Sequence, residues 1–343
     1  MIRICSSLQA NGYTVTLTGL KKVKMLPLNK QTFKQKRLNM FFQKGKGFYA
    51  EYNIRLFFYL LFKKMDCICA IDLDTIIPCY WVSFLRKKER VYDAHEYFTQ
   101  QKEIVTRPKI FAYWNRIASK YIPKFSNGYT VGQCIAEEFK KLYSVQYTVI
   151  RNMPLQKSKP GVQKTRHIIY TGAVNEARGF ETLIFAMKEV HAELMVYGDG
   201  NFMQKAKELT SMEKMEEKII FKGMVSPAEL ALVTAAAYIG INPVENNGLN
   251  QYYSLANKFF DYIQCRLPQV TMNFPEYQKI NDNMEIALLI DDLQPARISA
   301  ALNRLLNDEE LYLRLEANCE KAAAVLCWQN EEKILLDFYK RIL

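Results

Sequence analysis

Residues 167–181 read HIIYTGAVNEARGFE, an apolar run followed by a glycine and then by polar residues that open a helix. The apolar run at 168–170 is typical of a buried parallel strand. Gly172 allows the backbone to turn and to approach a ligand closely, and Arg178 precedes the next helix. The pattern therefore predicts a strand, a turn and a helix, whose turn is either a phosphate site or an ordinary turn with a surface arginine.

The rest of the second half repeats this alternation. Helical segments separate six predicted strands, which lie at 167–170, 193–197, 218–221, 238–242, 268–271 and 286–290. Such alternation predicts a doubly wound parallel sheet. In open parallel sheets the ligand lies beyond the carboxyl ends of the strands, so functional residues are expected in the loops that follow them.

The first half shows a second alternation, although it opens on a helix and not on a strand. Residues 2–10 predict a helix, residues 14–18 a strand, and residues 54–62 a helix that leads into a buried strand at 67–71. Shorter strands are predicted at 90–92, 129–131 and 147–150. The sequence thus predicts an α/β fold with two Rossmann-like doubly wound parallel-sheet domains that face a cleft.

The polar segment 154–166 contains two prolines and a glycine and is the predicted interdomain linker. The expected domains are then an N-terminal domain, a C-terminal domain and a final helix that packs back toward the N-terminal domain. Their predicted bounds are 1–153, 167–325 and 326–343.

The excess of positive over negative charge lies in the first half of the chain. The net charge is +12, and residues 1–155 carry 26 Lys and Arg against 10 Asp and Glu. A basic domain suits nucleic acid, an anionic membrane or a phosphorylated substrate. The sequence has neither a zinc-finger nor an RNA-binding aromatic signature, so nucleic acid is not an expected partner.

One basic segment of the first half is interleaved with aromatic residues. Its members are Lys34, Lys36, Arg37, Lys44 and Lys46, together with Phe33, Phe41, Phe42, Phe48 and Tyr49. Two interpretations stay open, an interfacial patch on an anionic membrane and a solvated basic loop.

The cysteines predict a reducing compartment. None of the eight forms a CxxC pair, and most lie in apolar runs, so we expect reduced thiols in a cytoplasmic protein. No signal peptide opens the sequence. Apolar runs such as LFFYLLF at 56–62 are shorter than the roughly 18 residues that span a bilayer. A peripheral position on the inner face of the cytoplasmic membrane stays open.

Residues 248–263, GLNQYYSLANKFFDYI, followed by LPQV at 267–270, form the second segment with chemical character. A glycine-and-amide loop that enters a helix offers free N–H groups, and Lys258 adds a positive charge. Asp261 presents a carboxylate that can accept both hydroxyls of a ribose. The apolar residues of the same helix predict a packing face, which is compatible with binding at the helix start.

In this order the two segments resemble the retaining glycosyltransferases of family 4, which have the GT-B fold. The family pattern is a strand with G-x(5)-[KR]-G, followed by a YSLPNK-x-F-[DE]-Y-x-x-x-x-LP helix. Residues 71–75 (IDLDT), 91–96 (VYDAHE) and 149–154 (VIRNMP) look like acceptor-domain signatures of that family. The resemblance reaches nearly the whole chain.

The resemblance implies a role for each site residue. Arg178 and Lys258 would neutralise the diphosphate leaving group, Asp261 would hold the ribose, and Gly172 and Asn257 would complete the nucleotide-sugar site. His95 would reach the donor sugar or its phosphate, although a lone histidine after a strand is also commonly structural. No metal or other cofactor is expected, and Asp72-Leu73-Asp74 is interpreted as a strand-end loop and not as a metal site.

Several positions depart from the family pattern. Tyr253 stands where many members have a sugar-binding glutamate, Arg266 where a glycine is usual, and Ala173 where many members have an arginine. The family fold also begins with a strand and a glycine-rich loop that have no counterpart before residues 2–10. The expectation from this difference is either an upstream start or a degraded, poorly folding copy.

The function implied is transfer of a sugar from a nucleotide-sugar donor to a saccharide or lipid-linked acceptor, with retention of configuration, in cell-surface polysaccharide or glycoconjugate synthesis. A nucleotide-sugar epimerase is one alternative, with Asp93 and Glu96 as the candidate acid and base. The other is a catalytically inactive scaffold of a polysaccharide assembly complex.

Overall fold

The computed structural model describes residues 1–22, 25, 27–158 and 161–343, and it divides into two units. Unit 1 comprises Met1–Arg151 and Asn330–Leu343, and unit 2 comprises Asn152–Gln329. Residues 159–160 of the predicted linker lie outside the described residues.

The described strands of unit 1 form two parallel sheets. They are β1 (Thr16–Lys21), β2 (Lys34–Asn39), β3 (Cys67–Ile71), β4 (Glu89–Ala94), β5 (Asn127–Thr130) and β6 (Thr148–Val149). β1 pairs with β2, and the other four form a sheet in the order β3-β4-β5-β6. Within the described ranges no strand pairs with both β1 and β3, so the expected single sheet is divided in two.

Helices precede or separate these strands in the described part of residues 1–151. They are α1 (Ile2–Ala10), α2 (Gly45–Leu61), α3 (Ile76–Arg86), α4 (Lys102–Val105), α5 (Pro108–Tyr121) and α6 (Gln133–Tyr143). Helix α2 begins nine residues before the predicted start, and it buries Phe48, Tyr52 and Leu56 at helical spacing. The sequence pattern therefore predicted only the C-terminal, most apolar part of this helix.

Unit 2 contains one six-stranded parallel sheet in the order β12-β11-β10-β7-β8-β9. Its strands are β7 (Ile168–Thr171), β8 (Leu194–Tyr197), β9 (Ile219–Gly223), β10 (Ile239–Asn242), β11 (Gln269–Met272) and β12 (Ala287–Ile290). Each lies within two residues of its predicted bounds. The parallel α/β architecture expected from the sequence is confirmed.

The helices of unit 2 lie between these strands along the chain or follow the last one. They are α7 (Phe180–Ala186), α8 (Met203–Met212), α9 (Pro227–Ala236), α10 (Leu249–Tyr252), α11 (Asn257–Gln264), α12 (Pro275–Met284), α13 (Pro295–Asn307) and α14 (Glu309–Val325). The predicted packing face of α11 is confirmed, because Phe259, Phe260 and Ile263 are fully buried in the core.

The last helix, α15 (Trp328–Lys340), belongs to unit 1 from Asn330 onward. Its Phe338 ring lies 5.4 Å from the ring of Tyr129 on β5. All eight cysteines are free thiols. In the part of the chain that the structure describes, no helix is both long and apolar enough to cross a bilayer.

Candidate functional site

The turn after β7 forms one side of the candidate site. Gly172 has a φ of +116°, a conformation that side chains rarely adopt, and its N–H donates to the Tyr197 carbonyl at 2.9 Å. A Cβ atom at Gly172 would lie 3.6 Å from Cε of Lys258. The fold thus brings the turn at residue 172 close to the start of α11.

Lys258 is held over an aromatic ring. Its Nζ lies 3.3 Å from the centroid of the Tyr170 ring, and the Tyr170 hydroxyl donates to the Ala173 carbonyl at 2.7 Å. Burial lowers the pKa of Lys258 well below its usual value, and the nearby Arg178 cation lowers this pKa further. Lys258 is therefore a desolvated ammonium close to a second positive charge.

Arg178 lies between two residues in the left-handed region. Ala177 has a φ of +64° and Gly179 a φ of +63°. The Ala177 carbonyl accepts the Glu245 N–H at 3.2 Å, and a Cβ at Gly179 would lie 3.1 Å from Cβ of Pro243. This packing fixes the backbone on both sides of Arg178, so the guanidinium starts from a constrained position.

The two cations have no acidic partner in the structure. Within residues 1–22, 25, 27–158 and 161–343, neither Arg178 nor Lys258 makes an ion pair or a hydrogen bond to a carboxylate. Two neighbouring cations at the carboxyl end of a parallel sheet repel each other unless an anion lies between them. The arrangement therefore suits a ligand with at least two negative charges, such as a diphosphate.

Helix α11 presents the remaining predicted residues. Asn257 is its first residue, and its Oδ1 accepts a hydrogen bond from Asn152 Nδ2 at 3.0 Å. The Ala256 N–H donates to the Tyr277 hydroxyl at 2.9 Å, which anchors the helix start. Asp261 follows Lys258 by three residues and thus lies on the same side of the helix. The first five residues of α11 therefore include an amide, a cation and a carboxylate.

The loop after β8 packs against the turn at Gly172, and it was not among the predicted site residues. A Cβ at Gly198 would lie 1.8 Å from the Gly172 carbonyl oxygen, and one at Gly200 would lie 2.3 Å from the Val174 oxygen. The Val174 N–H donates to the Asp199 carbonyl at 3.0 Å. The signal was present in the sequence, because Gly198-Asp199-Gly200 directly follows a predicted strand.

His95 belongs to unit 1. Its N–H donates to Asp72 Oδ1 at 3.0 Å, and its Nε2 lies 3.5 Å from Asp93 Oδ2 and 2.9 Å from Met1 Sδ. Burial and the positive charge of the chain's amino terminus lower the pKa of His95 to about 4. The imidazole is therefore neutral at pH 7.

Buried carboxyl groups surround His95. Burial raises the pKa of Asp93 to about 7 and that of Asp74 to about 6. It also raises the pKa of Asp72, and the neighbouring charges of Asp93, Asp74 and Glu96 add to this shift. Residues 73–75 form a 3-10 turn, so the Asp72-Leu73-Asp74 segment follows β3 as a turn.

Two departures from the family pattern have a visible structural setting. Arg266 has a φ of +55°, the conformation for which glycine is usual, and its buried guanidinium pairs with Glu320 at 2.9 and 3.1 Å. Tyr253 follows α10, with its ring 5.5 Å from the ring of Tyr252. The glutamate expected at position 253 is thus replaced by a member of an aromatic pair.

Most of the sheet of unit 2 matches a known protein family. Residues 165–308 match the family described as Glycosyl transferases group 1. Unit 2 therefore contains a region that is similar to this family. The expected enzyme class, a glycosyltransferase, agrees with this match, which includes Gly172, Arg178, Lys258 and Asp261.

A curated relative agrees with the family match over part of its length. The chain is 28% identical over 114 residues to alpha-monoglucosyldiacylglycerol synthase from Streptococcus pneumoniae. The aligned segment covers 31% of this chain and 26% of that relative. The chain therefore matches about a quarter of the relative's length.

Solved structures extend the likeness in fold to the whole chain. Sucrose-phosphate synthase from Thermosynechococcus elongatus is similar with a TM-score of 0.78 and 16% identity, over 99% of this chain and 91% of that one. HepE from Anabaena, solved in complex with UDP, is similar with a TM-score of 0.70 and 14% identity, over 90% and 87%. The fold is GT-B.

Proposed function

We propose that the chain transfers a sugar from a nucleotide-sugar donor to a saccharide or lipid-linked acceptor. The observation that carries this proposal is the pair of cations without an acidic partner, Arg178 and Lys258, beside the Gly172 turn. Supporting observations are the glycosyltransferase family match and the fold shared with HepE, which has been solved with UDP and with UDP-glucose.

In this proposal the diphosphate lies between the Gly172 turn and the start of α11. Arg178 and Lys258 contact its oxygens, and the free N–H groups at the start of α11 add further donors beside Asn257. Asp261 accepts the ribose hydroxyls. The exposed backbone at Gly172 lets the phosphates approach where a side chain would exclude them.

The proposed chemistry follows from the charge that develops when the anomeric bond breaks. The leaving nucleoside diphosphate gains negative charge as the sugar becomes oxocarbenium-like, and fixed cations stabilise that charge without reorganising. Desolvation of Lys258 strengthens this interaction, because a charge in a low dielectric acts with less screening.

His95 is proposed to contact the donor sugar or its phosphate as a neutral hydrogen-bonding group. The low pKa of its imidazole argues against a role as a fixed cation. Retention of configuration, independence from metal ions and a place in surface polysaccharide or glycoconjugate synthesis belong to the same proposal. They rest on the resemblance to family 4.

A screen of labelled nucleotide sugars tests this function. The full chain is incubated with each donor, with and without lipid and saccharide acceptors, beside the variants Arg178→Ala and Lys222→Ala, the latter an exposed lysine outside the site. We expect transfer or slow donor hydrolysis that Arg178→Ala reduces at least tenfold and Lys222→Ala leaves unchanged. An isomerised donor would instead identify an epimerase, and no turnover of any donor would favour an inactive scaffold.

A further inference from the structure

Two phenylalanine rings project into solvent from the turn after β2. Phe41 is 86% exposed and Phe42 55% exposed, and their ring centroids are 6.4 Å apart. A Cβ at Gly47 would lie 3.3 Å from the Phe42 ring, so this ring rests on the start of α2. Phe33 and Phe48 of the same basic segment are buried. The exposed aromatic surface is thus narrower than the sequence indicated.

The turn is held in place by one carboxylate. Glu51 on α2 accepts the N–H of Phe41 at 2.9 Å and the N–H of Phe42 at 2.8 Å. Arg55 donates its Nε–H to the same carboxylate at 2.7 Å. Because charge-assisted hydrogen bonds fix the backbone, the two rings are displayed by an organised turn.

Helix α2 continues the apolar surface. Ile54 and Phe58 are exposed at a spacing of four residues, and Phe62, one turn further, is 79% exposed. Residues four apart lie on one face of a helix. The outward face of α2 is therefore apolar, whereas the solvent-facing side of an amphipathic helix is usually polar.

A groove lies between β2 and α2 and adds positive charge to this surface. Its volume is about 440 Å³. The residues that line it are Lys36, Arg37, Leu38, Asn39, Ile54, Arg55 and Phe58. Its apolar floor and the cations Lys36 and Arg37 are complementary to an amphiphile with a negative head group, whereas Arg55 is paired with Glu51.

We propose that this face of unit 1 docks on an anionic lipid bilayer. The docking surface is defined as Lys36, Arg37, Phe41, Phe42, Ile54, Arg55, Phe58 and Phe62. The aromatic rings enter the boundary between head groups and acyl chains, and the cations contact lipid phosphates. The proposal does not depend on the donor site, which lies in unit 2.

Charge and apolar exposure together favour a membrane over a protein partner. Exposed apolar patches on soluble proteins mark interaction sites. Here the apolar row is bordered by Lys36, Arg37 and Arg55, and the half of the chain that carries it has a large excess of Lys and Arg. An anionic bilayer offers both matching features, a negatively charged surface and an apolar layer beneath it.

Vesicle cosedimentation of the full chain tests the proposal. Vesicles of phosphatidylcholine alone are compared with vesicles that also contain phosphatidylglycerol, at low and high salt. We expect binding only to the anionic vesicles and release at high salt. The variant Phe41→Ser/Phe42→Ser should bind about tenfold more weakly or worse, and Lys36→Gln/Arg37→Gln about fivefold more weakly for each charge removed.

Matched controls come from unit 2. Met224 is 77% exposed, so Met224→Ser removes an exposed apolar side chain elsewhere, and Lys222→Gln removes a charge elsewhere. Both should bind like the parent. Phe62→Ser is a second variant of the docking surface for the case that the double variant does not fold, as checked by circular dichroism.

Three results would overturn the proposal. The first is recovery of the parent chain wholly in the supernatant with anionic vesicles. Alternatively, the unit 2 controls lose as much binding as the surface variants, which would indicate unspecific charge attraction. The third is a dimer of the parent chain, detected by light scattering, that Phe41→Ser/Phe42→Ser dissociates while vesicle binding is unchanged. This result would assign the surface to a second copy of the chain.

Discussion

The surroundings of Lys258 alter the chemistry of its amino group. Its Nζ lies over the Tyr170 ring, and burial together with Arg178 lowers its pKa well below 10.5. A bound diphosphate would supply the missing negative charge and raise that pKa again. Binding of a nucleoside diphosphate should therefore be linked to uptake of a proton by Lys258.

The pH dependence of UDP binding follows from this linkage. Because the pKa of Lys258 is lowered in the free protein, its charged fraction falls as the pH rises at values below 10.5. We expect the affinity for UDP to decrease from pH 7 upward, and to decrease much less in Lys258→Arg, whose guanidinium stays charged. Affinities measured from pH 7 to 9.5 check this. Parallel pH profiles for both proteins would contradict it.

Asp93 gives a second prediction at this scale. Burial raises the pKa of its carboxyl group to about 7, above the 3.8 of an ordinary aspartate. The folded protein therefore holds this proton more tightly, and the stability that this contributes is full below about pH 3.8 and is lost as the pH rises through about 7. Relative to Asp93→Asn, the parent should lose thermal stability between pH 5 and pH 8.

Unfolding midpoints of both proteins at pH 5 and pH 8 test this prediction. His95, Asp72 and Asp74 titrate in both proteins, so the comparison reports the change that belongs to Asp93. An equal shift of the two midpoints between pH 5 and pH 8 would show that the carboxyl group is not perturbed.

At the scale of elements, the loops after β7 and β8 are joined by close backbone contact. Gly198 has a φ of +148°, and a Cβ there would lie 1.8 Å from the Gly172 oxygen. Gly198→Ala should destabilise the protein by roughly 2–5 kcal/mol, because backbone strain and steric overlap add. Gly161→Ala is the control, since its Cβ would meet nothing within 4 Å. Chemical denaturation measures both, and equal stability would refute the described packing.

The strands of unit 2 could be predicted closely because each is an apolar run between polar segments. Strand β2 could not, because its residues are KQKRLN, a composition more typical of a loop. Its charged side chains suit the edge of a two-stranded sheet, where pairing with another chain must be avoided. Residues 34–39 were therefore interpreted only as part of a basic segment.

The sequence allowed a candidate site to be proposed where a side chain carries the chemistry. Arg178, Lys258 and Asp261 were proposed from charge and spacing, and a Cβ atom at Gly172 would lie 3.6 Å from Cε of Lys258. The contributions of Gly198, Gly200 and the Tyr170 ring were missed, because they depend on which loops and side chains meet in three dimensions. His95 was located from its position after a strand, but its low pKa results from burial that the sequence does not reveal.

At the scale of the whole molecule, the sequence predicted two α/β domains with parallel sheets and a basic first half. It did not predict that the described strands of unit 1 form separate sheets of two and four strands. The pairing of a strand depends on its neighbours in space, which local hydrophobic pattern does not specify. The proposed functions follow the same division, with the donor site in unit 2 and the lipid-docking surface in unit 1.

The central claim is that Arg178 and Lys258 bind a nucleoside diphosphate. Calorimetric titration of UDP into the full chain tests it most directly. The account predicts saturable binding that weakens about tenfold or more in Arg178→Ala, because a charge-assisted hydrogen bond is lost, while Lys222→Ala binds like the parent. Equal UDP affinity in Arg178→Ala and the parent would contradict the account.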